Sequence, residues 1–125
     1  PSEIQSFVEK AAAATADINR QVWKFSLTRL TTFGILRYSE GHHFKLHTDL
    51  VPQHPERKLG VVIQLSRPAV YEGGDLEYGF SPSRTASREQ GAMILFPSWV
   101  PHRVTPVSSG VRYCCAFFAV GSSFR

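Results

Sequence analysis

Beyond Ser26 the chain is cut by glycine, proline and serine into strand-sized apolar runs, none of them at helical spacing, which points to an antiparallel β architecture. The runs cover residues 28–38, 44–49, 58–66, 75–78, 84–88, 92–96, 103–106 and 111–120, eight in all. Short strands with turns every few residues and no intervening helix predict a double-sheet jelly roll, or double-stranded β-helix, rather than a parallel α/β fold. The opening segment differs. Ile4, Phe7, Val8, Ala11 and Ala12 recur at helical spacing, and Ser2 with Gln5 can form a capping box, so a helix is predicted over 2–16, packed outside the sheets. A second short helical or irregular piece holds Ile18, Val22, Trp23 and Phe25. A chain of 125 residues fits one domain, with 1–27 as helical support and 28–120 as the jelly-roll core.

Composition narrows the function classes. Hydrophobic residues make up 42% and charged residues 19%, ordinary values for a soluble globular protein. The net charge of +4 comes mostly from arginines scattered along the chain, without the basic block of a nucleic-acid binder, so no nucleic acid is expected. No apolar stretch is long enough to cross a bilayer as a helix, no membrane partner is expected, and no secretory signal is visible. Cys114 and Cys115 are neighbours and cannot form an ordinary disulfide with each other; a reducing, cytoplasmic setting is the simpler expectation.

Strand alternation puts His47 and Asp49 on one face and Thr48 on the other. Adding His102 from a distant hairpin completes two histidines and one carboxylate, the facial set that leaves open positions on Fe(II) for oxygen chemistry. Among five histidines and ten acidic residues a His-x-Asp pair arises readily by chance, and His47 alone reads as a hydrogen-bonded strand histidine. The segment from Phe96 to Val107 changes that balance, because a strand, a proline-fixed turn, a histidine and a return strand come together ahead of Arg112.

On the last strand Arg112, Cys114, Ala116 and Phe118 share a face opposite Val111, Tyr113, Cys115 and Phe117. If the Arg112 face is the inner one, the guanidinium needs a partner, and its planar fork suits a carboxylate through two parallel hydrogen bonds. Alternation alone leaves open a solvated edge, the commoner fate of an arginine. Tyr38 closes the first long strand, either offering its phenol to a bound molecule or serving as a core tyrosine. His42, His43 and His54 lie in turn-like stretches and read as surface residues. The proline-broken loop 50–57 is a candidate lid, or a plain connection, and Trp99 a candidate aromatic wall, or simply packing.

These residues resemble the prolyl 4-hydroxylase-like branch of the Fe(II)/2-oxoglutarate-dependent dioxygenases, including the bacterial PKHD-type hydroxylases. The resemblance rests on Arg37 and Tyr38, Gly41, Phe44, His47 and Asp49; on Gln64-Leu-Ser and Tyr71-Glu-Gly-Gly-Asp-Leu; and on Phe96-Pro, His102-Arg-Val-Thr-Pro-Val and Gly110-Val-Arg112. It spans nearly all of the chain after Thr28. It implies iron on His47, Asp49 and His102, 2-oxoglutarate on Arg112 and Tyr38, O2 as oxidant and ascorbate as a candidate reductant. One departure stands out: many relatives carry Arg-x-Ser where this chain has Arg112-Tyr-Cys114.

The implied activity is hydroxylation of a prolyl or similar residue in a peptide or protein, with release of succinate and CO2. The same chemistry on a free amino acid, a small metabolite or an alkylated base is the alternative within the enzyme class. Outside it stands a non-catalytic jelly-roll metal-binding module.

Overall fold

The computed structural model describes residues 2–122. It contains one helix, α1 (Glu3–Gln21), and ten strands: β1 (Leu27–Tyr38), β2 (Phe44–His47), β3 (Arg57–Gln64), β4 (Tyr71–Gly73), β5 (Leu76–Tyr78), β6 (Arg84–Thr85), β7 (Met93–Pro97), β8 (His102–Val104), β9 (Val107–Gly110) and β10 (Arg112–Gly121). A short 3-10 turn, Pro68–Val70, precedes β4. Two four-stranded sheets, in the orders β1-β10-β3-β7 and β2-β8-β5-β6, make the jelly roll, and β4 and β9 form a separate two-stranded ribbon. Every strand pair is antiparallel.

Alternation along β3 and β10 divides the core into two layers. Cys114 faces inward with Tyr38, Leu76, Phe96, Val104 and Val107, between the sheets. Cys115 and Phe117 face the other way with Val61 and Ile63, under Ala11 of the helix. The face assignment made from the sequence of the last strand is therefore the observed one, with Arg112 fully buried.

The structure has two more strands than the eight runs expected, β4 and β9. They pair only with each other, Tyr71 opposite Gly110 and Glu72 opposite Ser109, and their glycine- and serine-rich composition reads as turn rather than strand. The helix is also longer than expected. Ser2 caps it, its Oγ accepting from the Gln5 backbone N–H at 3.0 Å, but the buried stripe is Ala11, Thr15 and Asn19 rather than the first apolar residues. Ile4 is 76% exposed, because the helix meets the sheet only from Ala11 onward. Asn19 then fastens the helix end, its side chain donating to the Phe25 carbonyl at 2.8 Å and accepting from the Phe25 N–H at 3.0 Å. No helix among the described residues is long and apolar enough to cross a membrane.

Candidate metal and co-substrate site

The two sheets enclose a cavity of about 480 Å³ whose lining includes His47, Asp49 and His102 from one side and Arg112, Cys114 and Phe118 from the other. His47 closes β2 and pairs directly with His102, the first residue of β8. Asp49 lies just past its strand, held where its backbone N–H donates to the Ser98 carbonyl at 3.0 Å. One ligand atom from each of the three residues lies within 4.8 Å of the others. His47 Nε2 is 3.7 Å and His102 Nε2 3.4 Å from Asp49 Oδ1.

Backbone carbonyls fix which ring nitrogens are available. His47 Nδ1 lies 2.7 Å from the Lys45 carbonyl and His102 Nδ1 3.1 Å from the Val100 carbonyl. A carbonyl only accepts, so each Nδ1 carries a proton, and each Nε2, on the side of Asp49, is the ring atom left for a metal. Burial holds the His47 imidazole below its ordinary pKa, and His102 adds to this, against the opposing pull of the Lys45 carbonyl and Asp49. A neutral imidazole is the form that ligates a metal. Two imidazole nitrogens and a carboxylate suit a divalent first-row metal such as Fe(II).

Arg112, at the far end of the inner face of β10, is 0% exposed. Its Nε and Nη2 both donate to Gln64 Oε1, at 3.2 and 2.9 Å, and Gln64 is itself tied to the Ser87 carbonyl at 3.1 Å. Nη1 is buried without a hydrogen-bond partner. An unmatched donor on a buried cation is costly, and a ligand carboxylate in the cavity would remove the cost. The side-on edge of the fork, which sequence reasoning left free, is thus taken by Gln64, and Nη1 is the donor that remains. Gly74, at φ +63°, keeps this corner open, since a Cβ there would touch Arg112 Cδ at 3.4 Å and press on Val107.

Tyr38 is buried beside the same guanidinium, with Arg112 Cζ 5.2 Å from its ring centroid. Burial pushes its phenol above the ordinary value, and burial does the same to the Cys114 thiol between Tyr38 and Arg112. Cys114 is thus held as a protonated, weakly hydrogen-bonding group.

His42, His43 and His54 are exposed, as expected of surface residues. Trp99 does not line the cavity and sets its ring edge-on to Phe25 at 6.0 Å. The loop 50–57 carries no helix or strand before Arg57. Sequence reasoning missed Gln64, Gly60 and Arg57. Gln64 stood within a quoted motif, but its grip on Arg112 is a contact between neighbouring strands that no single strand reveals.

A sequence profile described as the 2OG-Fe(II) oxygenase superfamily matches residues 33–120. A PKHD-type hydroxylase of Cupriavidus metallidurans is 41% identical over 100 residues, 71% of this chain. The chain spans 42% of that relative's length. A Pseudomonas putida prolyl-4-hydroxylase shares the fold with a TM-score of 0.74 at 20% identity, over 90% of this chain and 63% of that one. A Trichoplax adhaerens prolyl hydroxylase, solved in complex with a hypoxia inducible factor peptide fragment, does so with a TM-score of 0.77 at 18% identity, over 94% and 56%.

Proposed function

The chain belongs to the 2-oxoglutarate–Fe(II) oxygenase superfamily, and from that premise we propose that it is an Fe(II)- and 2-oxoglutarate-dependent hydroxylase acting on a prolyl or similar residue of a peptide or protein, with succinate and CO2 as co-products. The observation that carries this reading is the orphaned Nη1 of buried Arg112, a residue that lines the same cavity as His47, Asp49 and His102. A metal-binding module needs the three ligands but has no use for a buried cation with an unmatched donor in the lining of the same cavity.

In this reading His47 and His102 offer Nε2, and Asp49 a carboxylate oxygen, to the metal. Arg112 takes the distal carboxylate of 2-oxoglutarate, Gln64 holds the guanidinium still, and Tyr38 walls the co-substrate. When bound, iron with 2-oxoglutarate supplies oxygen activation coupled to oxidative decarboxylation. Leu76, Phe96 and Val104 make the cavity wall apolar, which excludes water and strengthens each polar contact inside. Prolyl residues are favoured as substrate by the prolyl hydroxylases that share the fold.

We read 1–27 as support for one jelly-roll domain over 28–120. The two free, buried thiols suit a reducing compartment such as the cytoplasm. Mass spectrometry of proline-containing peptides incubated with Fe(II), 2-oxoglutarate and oxygen tests the activity. Gain of one oxygen atom matched by succinate is expected; succinate without any oxygenated peptide would sink the prolyl assignment.

A further inference from the structure

Two adjacent residues outside the cavity lining, Ser87 and Arg88, reach Arg112 by separate routes. The Ser87 carbonyl accepts from Gln64 Nε2 at 3.1 Å, and Gln64 Oε1 in turn accepts from Nε and Nη2 of Arg112. That route fixes the guanidinium head. The second route bears on the aliphatic stem.

Arg88 carries the second route. Its Nη1 donates to the Gly73 carbonyl and to Asp75 Oδ1, both at 2.8 Å, and its Nη2 donates to the Tyr71 carbonyl at 3.0 Å. Its Cζ also lies 4.2 Å from the centroid of the Tyr71 ring. One planar fork thus ties the whole turn that follows β4. Gly73 and Gly74 in that turn are both left-handed, at φ +70° and +63°, and the pairing of β4 with β9 shifts register between Glu72 and Gly73, so regular strand bonding does not hold it. The N–H groups of Gly74 and Asp75 donate to the Pro106 carbonyl and Thr105 Oγ1, at 3.1 and 2.8 Å, and Arg88 takes the carbonyl side. Arg112 leans on this turn. A Cβ at Gly74 would meet Val107 Cγ2 at 2.8 Å, Arg112 Cδ at 3.4 Å and Tyr71 Cδ2 at 3.6 Å, so the Gly74 backbone, the Tyr71 ring and the Arg112 stem form one packed corner.

We propose that Arg88 is a positioning residue for the co-substrate: by clamping the β4 turn from outside, it sets where Arg112 stands and so where the distal carboxylate of 2-oxoglutarate docks. This rests on reading the cavity as the metal and 2-oxoglutarate site. The ion pair with Asp75 balances the charge of the clamp, which therefore acts through position. Arg57 makes a like contact at the metal end, where its Nη1 donates to the Asp49 carbonyl at 3.2 Å. The Arg88 clamp ends at Asp75, ahead of the pairing of Tyr78 with His102, so its loss should be felt by the co-substrate and not by the metal.

The test is calorimetric titration of 2-oxoglutarate into protein loaded with Mn(II) under anaerobic conditions, with Mn(II) affinity measured for the same variants. Arg88→Ala should weaken 2-oxoglutarate binding about tenfold, the scale on which removing the support behind a ligating residue acts, and leave Mn(II) affinity unchanged. Arg88→Lys should recover part of the loss, since an ammonium keeps the charge but not the fork. A double-mutant cycle with Arg112→Lys separates positioning from a merely structural role. In that background the guanidinium that Arg88 positions is gone, and adding Arg88→Ala should weaken 2-oxoglutarate by less than about twofold, the limit of additivity for uncoupled sites. If Arg88→Ala does not fold, Arg88→Gln, which keeps a single donor group, carries the same measurements. Unchanged 2-oxoglutarate affinity, an equal loss of Mn(II) affinity, or the full loss repeated in the Arg112→Lys background overturns the proposal while leaving the metal and co-substrate reading intact. Failure of wild-type protein to bind 2-oxoglutarate in a Mn(II)-dependent way defeats that underlying reading, and the Arg88 proposal with it.

Discussion

Gly60 leaves open the space that the Asp49 carboxylate fills: a Cβ at position 60 would collide with Asp49 Oδ2 and approach the Phe96 ring at 2.8 Å. The glycine is required by this close approach, since its backbone is ordinary strand. Gly60→Ala should therefore push Asp49 off its position. Overpacking costs about 1–3 kcal/mol of stability. Metal affinity should fall about 10- to 100-fold, as for other losses of ligand orientation. Gly34→Ala is the control, because a Cβ there meets nothing within 4 Å. Equal metal affinity in wild type and Gly60→Ala, measured by calorimetry, would show that Asp49 is not a ligand in the observed pose.

Gln64 orients Arg112 without neutralising it. Gln64→Glu places a fixed counter-ion against the guanidinium, which then competes with the incoming carboxylate. Affinity for 2-oxoglutarate should drop at least about tenfold, with metal binding unaffected. Unchanged co-substrate affinity would mean that the carboxylate docks elsewhere.

Arg112→Ala should raise the 2-oxoglutarate requirement by an amount on the order of 2–5 kcal/mol in binding, since the buried charge partner is lost. Arg112→Lys recovers only part, because an ammonium keeps the charge but not the planar geometry. Arg103→Ala should change little: Arg103 is exposed and its Nε donates to Glu77 Oε1 at 2.7 Å on the outer side of its sheet. Michaelis constants for 2-oxoglutarate across the three variants check this, and a wild-type value in Arg112→Ala would contradict it.

How these residues meet was only partly legible in the sequence. Period-two alternation was enough to put Arg112, Cys114 and Ala116 on one face, because β10 is long and regular from Arg112 to Gly121. His47 and His102 come together through pairing of β2 with β8, whereas the sequence showed only that His102 lies on a distant hairpin. Asp49 reached the cluster by another route than the one expected: it lies beyond the strand end, placed by its bond to Ser98 rather than by alternation. Gly60, Gln64 and Arg57 act through contacts across β3, β10 and the loop after Asp49. Such contacts depend on register between strands, which no local pattern in the chain encodes. The β4–β9 ribbon was hidden for a compositional reason: each strand carries a single buried apolar residue, Tyr71 or Val107, beside glycine and serine, too few to show an alternating pattern.

The buried protonated groups give an alkaline instability. Burial raises the Cys114 and Cys115 thiols above their ordinary 9.0 and the Tyr38 phenol above its ordinary 10.0. An unfolded chain loses these protons at the ordinary values while the folded chain keeps them. Stability is therefore fully present below those values and is lost as pH rises through them toward the folded ones. The thermal midpoint should fall between about pH 8 and about pH 10, and fall less in Cys114→Ala. Parallel pH profiles for wild type and variant would remove Cys114 from the account.

The central claim is that His47, Asp49 and His102 hold one metal that works with 2-oxoglutarate, and Fe(II)-dependent conversion of 2-oxoglutarate to succinate tests it most directly. Wild-type protein should form succinate only with Fe(II) and oxygen present. His47→Ala, Asp49→Ala and His102→Ala should each abolish it while keeping the β-rich circular dichroism of the fold, whose core is built from other side chains. Wild-type succinate formation in any two of these variants would contradict the assignment of the site.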